Sequence, residues 1–149
     1  MIRLIGTLSL SAALLLPASL LAQNAAPAQN LPTKRVLIHV YSDKPEQWKA
    51  AVEKANELVS STKPYDTYVE ILATGDGLKL VDKSNPLSSE VKASLNKDVS
   101  FVACHASMVT NHMGIDQLDA GVGTVPSGGR EMTMRKAEGW TMMDDQAKK

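Results

Sequence analysis

Arg35-Val36-Leu37-Ile38-His39-Val40-Tyr41 is a nearly continuous run of β-branched and apolar residues. A strand that alternates apolar and polar buries one face, whereas an unbroken apolar run is buried on both faces, as in a parallel sheet sandwiched by helices. The residues that follow extend that reading. Ser42 and Asp43 have helix-capping side chains, and Pro45 and Glu46 suit a first helical turn. Trp48, Ala51, Val52, Ala55, Leu58 and Val59 then recur mostly at intervals of three and four, giving one apolar stripe that must lie on something. Ser60 to Pro64 ends this helix.

The pattern then repeats. Tyr65 to Ala73 reads as a second strand, and Thr74-Gly75-Asp76-Gly77 as a sharp turn out of it into a short apolar segment, Leu78 to Val81. A second helix is expected from about Leu87 to Asn96, and a third strand from Val99 to Cys104. Ser107 is expected to cap a short helix running through Met113 and closed by Gly114. Gly121 to Val125 reads as a short fourth strand, Ser127 opens a helix ending at Gly139, and Trp140 to Met143 makes a fifth strand. Strands alternating with helices imply right-handed crossovers and a three-layer α/β/α domain around a mostly parallel sheet of about five strands.

Outside this domain, residues 1–22 read as a secretory signal peptide. Arg3 is the only charge before Lys34, the stretch from Leu4 to Leu21 is strongly apolar, Pro17 interrupts it, and small residues follow. Leu20-Leu21-Ala22 and Ala26-Pro27-Ala28 are both acceptable ends, so cleavage is expected between Ala22 and Ala28. The apolar stretch is shorter and more broken than the roughly 20 residues of a membrane span. Residues 23–33 read as a flexible leader, 34–143 as the domain, and 144–149 as a polar tail. These features imply a periplasmic protein with no membrane attachment once the signal is cut.

The chain carries 16 basic and 16 acidic residues, and removing Arg3 leaves 15 against 16, a net charge of −1. Such a balance gives no electrostatic case for nucleic acid or for an anionic membrane surface. One cysteine, Cys104, occurs in the whole sequence. It cannot form an internal disulfide, so it is a packed apolar residue, an interchain link or a free reactive thiol.

Ligands of open parallel sheets bind beyond the carboxyl ends of the strands. Those ends supply Ser42 and Asp43, Thr74 to Gly77, Cys104 and His105, and Ser127 and Gly128. Cys104 falls on this edge immediately before a helix start, where free N–H groups and a partial positive charge favour a thiolate. His39 lies inside an apolar strand and reads as a hydrogen-bonded core residue, while Asp43 and Asp76 read as caps and turn formers. The soft ligands Cys104, His105, Met108, His112 and Met113 raise a second possibility, Cu(I) binding, with Met108 and His112 sharing a helix face. Against it, methionines commonly fill irregular core gaps, and no strict ligand spacing is present. A third possibility is a non-catalytic oligomeric binding module. No Ser/His/Asp arrangement, phosphate-cradling glycine loop or zinc-type cysteine pair is present, and no cofactor is expected.

Phe101-Val102-Ala103-Cys104-His105-Ala106-Ser107-Met108 resembles the cysteine segment of the DsrE/DsrF-like sulfur-relay family. Val36 to Val40 with Asp43 is similar to that family's first strand and turn. Glu70 to Gly75 followed by Leu78 to Val81 resembles its second strand and glycine turn. Asp116-Gln117-Leu118, Val125 to Gly128 and Glu138-Gly139-Trp140 resemble its closing third. The resemblance implies a homo-oligomer in which Cys104 carries sulfur as a persulfide, exchanged with sulfur donor and acceptor proteins or small thiols. Well-understood members work in the cytoplasm, some feeding tRNA thiolation, whereas this chain is expected to be exported.

Overall fold

The computed structural model describes residues 32–61 and 66–144; the expected signal peptide, most of the expected leader and the end of the expected tail lie outside the described residues. The elements in order are β1 (Lys34–Val40), α1 (Pro45–Ser60), β2 (Thr67–Ala73), a 3-10 helix (Gly75–Val81), α2 (Ser88–Leu95), β3 (Val99–Cys104), α3 (His105–Thr110), a second 3-10 helix (Ile115–Gln117), β4 (Gly123–Val125), α4 (Gly128–Ala137) and β5 (Thr141–Asp144). The five strands form one sheet in the order β4-β3-β2-β1-β5, and every neighbouring pair is parallel. The expected architecture is present, with an all-parallel rather than mostly parallel sheet.

Handedness distributes the helices. The chain steps β1 to β2 to β3 to β4 in one direction across the sheet, so right-handed crossovers put α1, α2 and α3 on the same face. The last step, from β4 back to β5 beyond β1, runs the opposite way and carries α4 to the other face. The buried side chains follow this division. Val36, Ile38 and Val40, Val69, Ile71 and Ala73, and Val99, Phe101 and Ala103 cluster with the stripe of α1, with Val91 of α2 and with Met108 of α3. On the other face Leu37, Leu72 and Trp140 form a smaller cluster, flanked by partly buried Tyr68, Val102, Val125, Met132 and Met142. Burial of Leu37 between Val36 and Ile38 is what the unbroken apolar run predicts.

Four local expectations need correction. Neither Ser42 nor Asp43 caps α1. Lys44 is the N-cap and supplies no side-chain bond; the Ser42 hydroxyl instead accepts from the Lys44 N–H at 3.1 Å. Leu78 to Val81 completes the 3-10 helix, and Gly77 within it packs so close to Val40 that no side chain would fit there. Ser107 is interior to α3, whose N-cap is Cys104. That helix ends before Gly114, with His112 rather than a glycine in the left-handed region (φ 53°). Finally, Asp144 lies in β5 and not in the tail.

On its face α4 is held chiefly by charge. Arg135 Nη2 lies 2.7 Å from Oε2 of Glu70, a residue of β2 with 2% exposure. Its Nε and Nη1 lie 2.8 Å and 3.3 Å from Glu131 and Glu138. The guanidinium also sits 4.4 Å over the ring of Trp140, which Tyr68 meets edge-on. Gly139 (φ 81°) closes the helix, with Gly139 N–H donating to Lys136 and Trp140 N–H to Arg135 in a Schellman pattern.

Two stability measurements check this anchor. Replacing Arg135 by Met strands buried carboxylates, so urea unfolding should report a loss of about 2–4 kcal/mol; a loss below about 1 kcal/mol would mean the anchor is dispensable. Burial, followed by the charges of Glu131 and Glu138, holds the Glu70 carboxyl above its ordinary value in spite of Arg135. A carboxyl raised in the folded state stabilises the fold below its ordinary pKa and loses that contribution as pH rises through the folded value. Glu70→Gln should therefore gain stability relative to the native protein as pH rises above the ordinary glutamate range. A pH-independent difference in Tm would contradict it.

Candidate functional site

Cys104 is the last residue of β3 and the N-cap of α3. Its Sγ accepts two backbone hydrogen bonds, from Ser107 N–H at 3.4 Å and from Gly128 N–H at 3.2 Å. The first comes from the opening turn of α3, on one face of the sheet. The second comes from the opening residue of α4, on the opposite face. β3 and β4 are neighbours whose following helices leave to opposite sides, which makes the gap between them the topological switch point of the sheet, where ligands of such folds bind. The sequence placed Cys104 on the correct edge. The strand order adds that it sits at the switch.

The two bonds have a chemical consequence. A neutral thiol is a weak hydrogen-bond acceptor, whereas a thiolate is a strong one, so two N–H groups aimed at Sγ favour the ionised form. With 4% exposure, burial pushes the thiol up. The Ser107 side chain and the N–H groups of Ser107, Gly128 and Ala106 act in the opposite sense and leave the thiol below its ordinary value. The arrangement favours the thiolate, the nucleophilic form of the sulfur.

Gly128 makes the second bond possible. A Cβ at that position would lie 2.5 Å from Thr74 Cγ2, 3.6 Å from Cys104 Cβ and 3.7 Å from Sγ. A side chain there would collide with the Thr74 methyl, so Thr74 or the start of α4 would have to shift. Ser127, the N-cap of α4, accepts from Arg130 N–H at 3.5 Å, as the sequence led one to expect. Thr74 is fixed from two directions. Its N–H donates to Val40 O at 2.9 Å, and its Oγ1 shares a 2.7 Å hydrogen bond with His39 Nε2.

The structure thus brings Thr74, Cys104 and Gly128 together, with His39 behind Thr74. His39 is hydrogen-bonded as anticipated, but half-buried rather than in the core. The other candidates do not join them. Asp43 is exposed, and Asp76 is exposed and 3.9 Å from Lys79. His105 is the exposed first residue of α3. Met108 is buried in the main core, while His112 is exposed, so the pair does not form the proposed copper face. Among the described residues no group of three or more His, Cys, Asp or Glu could hold a metal ion, and no helix is long and apolar enough to cross a membrane. A recess of about 250 Å³ between α1 and α2, lined by residues including Val52, Asn56, Leu87 and Ser94, shares no residue with the cysteine's surroundings.

No family model matches the chain, and no curated protein matches it. Solved structures do. A protein of unknown function, MTH1491 from Methanobacterium thermoautotrophicum, superposes with a TM-score of 0.71 at 23% identity, covering 74% of this chain and 98% of its own. BT1422 from Bacteroides thetaiotaomicron, a conserved protein of unknown function, gives a TM-score of 0.58 at 16% identity over 74% of this chain and 94% of its own. These likenesses establish the α/β fold.

The thiol's state is directly measurable. The pH profile of Cys104 alkylation should have its midpoint below that of a free cysteine, near 8.5. Gly128→Ala should move the midpoint up and slow alkylation at pH 7 by roughly threefold to tenfold, since each pKa unit is about a tenfold change in thiolate. An unshifted midpoint in the variant would separate Gly128 from the thiol's acidity.

Proposed function

We propose that this protein is an exported carrier of sulfane sulfur that uses Cys104 as its nucleophile. The observation that carries the reading is the pair of N–H groups, one from each face of the sheet, directed at Cys104 Sγ. A structural cysteine needs neither. The sequence resemblance to the DsrE/DsrF-like family points to the same residue and the same chemistry.

In the loading step the Cys104 thiolate attacks the terminal sulfur of a donor persulfide. A new sulfur–sulfur bond forms at Sγ, the donor's sulfur–sulfur bond breaks, and the donor leaves as a thiolate with the bonding pair. Cys104 then holds a persulfide, and the N–H groups that stabilised its thiolate also stabilise it as the leaving group in the second step. There an acceptor thiolate takes the terminal sulfur, and Cys104 departs as the thiolate it was at the start. No net oxidation or reduction occurs in either step. The low exposure of Cys104 favours donors that present their sulfur on a small molecule or an extended segment. Donor and acceptor proteins or small thiols, a homo-oligomeric assembly and a periplasmic location belong to this reading.

Intact mass tests it. Purified protein treated with polysulfide should gain one sulfur atom per chain, prior alkylation should abolish the gain, and Cys104→Ser should show none while keeping its circular dichroism. A Cys104 that stays unreactive until the protein is denatured would overturn the proposal and leave a non-catalytic binding module as the better description.

A further inference from the structure

His39 stands outside the chemistry described so far, and it meets the site at Thr74. The backbone of Thr74 is pinned by its bond to Val40 O, which leaves the side-chain rotamer as the free variable. A threonine carries its hydroxyl and methyl on one carbon, so fixing the direction of Oγ1 also fixes the direction of Cγ2. The 2.7 Å bond to His39 Nε2 sets the hydroxyl. The methyl then faces Gly128 so closely that a Cβ there would sit 2.5 Å from it. Gly128 in turn aims its N–H at Cys104 Sγ from 3.2 Å.

From this contact series we infer that His39 is a positioning residue for the Cys104 thiolate, acting through the Thr74 rotamer on the first residue of α4. This inference rests on the reading of Cys104 as a reactive thiolate and adds the residue that keeps its second N–H donor in place. β1 and β2 are central strands, paired in register from Lys34 with Thr67 to Val40 with Ala73. They offer a rigid base, whereas α4 stands alone on its face of the sheet. The histidine transmits the position of that base to the start of α4. Its role is steric and directional, and it touches neither the sulfur nor the donor.

The experiment is the pH profile of Cys104 alkylation by iodoacetamide in the full-length protein, for His39→Ala, His39→Gln and Thr74→Val. Gln can place an amide nitrogen near the Nε2 position, whereas Val keeps the methyl of Thr74 and puts a second methyl in place of the hydroxyl. His39→Ala and Thr74→Val should each raise the midpoint and slow alkylation at pH 7 by about threefold, half a pKa unit, and His39→Gln should restore most of the native rate. The double variant His39→Ala/Thr74→Val should be no slower than either single one, because both break the same link. Native midpoints in the folded His39→Ala or Thr74→Val protein would overturn the inference, as would additive effects in the double variant. If His39→Ala does not fold, Thr74→Val decides alone. Failure of the sulfur-carrier reading is separately visible, since it appears as an unreactive Cys104 in the native protein.

Discussion

The handedness of one crossover governs the rest of this structure. Four strands are laid down in succession in one direction, and their connecting helices all fall on one face. The fifth strand goes to the far edge, beside β1 instead of beyond β4, and the right-handed rule sends its helix to the opposite face. Had β5 followed β4 in line, α4 would have joined α1, α2 and α3, and no switch point would exist beside Cys104. The two-sided grip on the sulfur is a product of strand order before it is a product of any side chain.

That grip depends on an anchor at the other end of α4. The helix covers its face alone and contributes few apolar contacts, so the Arg135 cluster does much of the holding. Glu70, Glu131 and Glu138 surround one guanidinium, which also rests on Trp140. Burying a charge pair is seldom more stabilising than packing apolar groups. What the pair supplies here is direction, because a bonded guanidinium sets both the rotation and the position of the helix along the sheet. The N-terminal residue Gly128 is thereby delivered to within hydrogen-bond distance of Cys104.

Most of the architecture was legible in the residues, since an apolar strand buried on both faces and a striped helix leave little choice of layer. The edge on which Cys104 lies was equally legible, being a matter of counting from the strand's start. The errors have local causes. Ser107 looks like a cap because serine is a good one, but the backbone turns three residues earlier and the sulfur itself takes that role. The Gly128 bond could not be read at all, because it joins residues 24 apart whose proximity follows from strand order. His39 was visible as a polar residue in an apolar strand, though not its link to Thr74.

The distant origin of α4 and β5 in the chain has a consequence for folding. The segment that supplies the second N–H donor follows β1 to β3 in the chain, and β5 must find β1, more than 100 residues back in sequence. Long-range pairing of this kind is slow relative to the local contacts of β1 to β3. A nascent or truncated chain can therefore assemble the first face of the sheet and cap α3 while its cysteine still lacks the Gly128 bond. The second hydrogen bond to the sulfur forms only when the final crossover docks, so the surroundings of Cys104 are completed by the longest-range step of the fold.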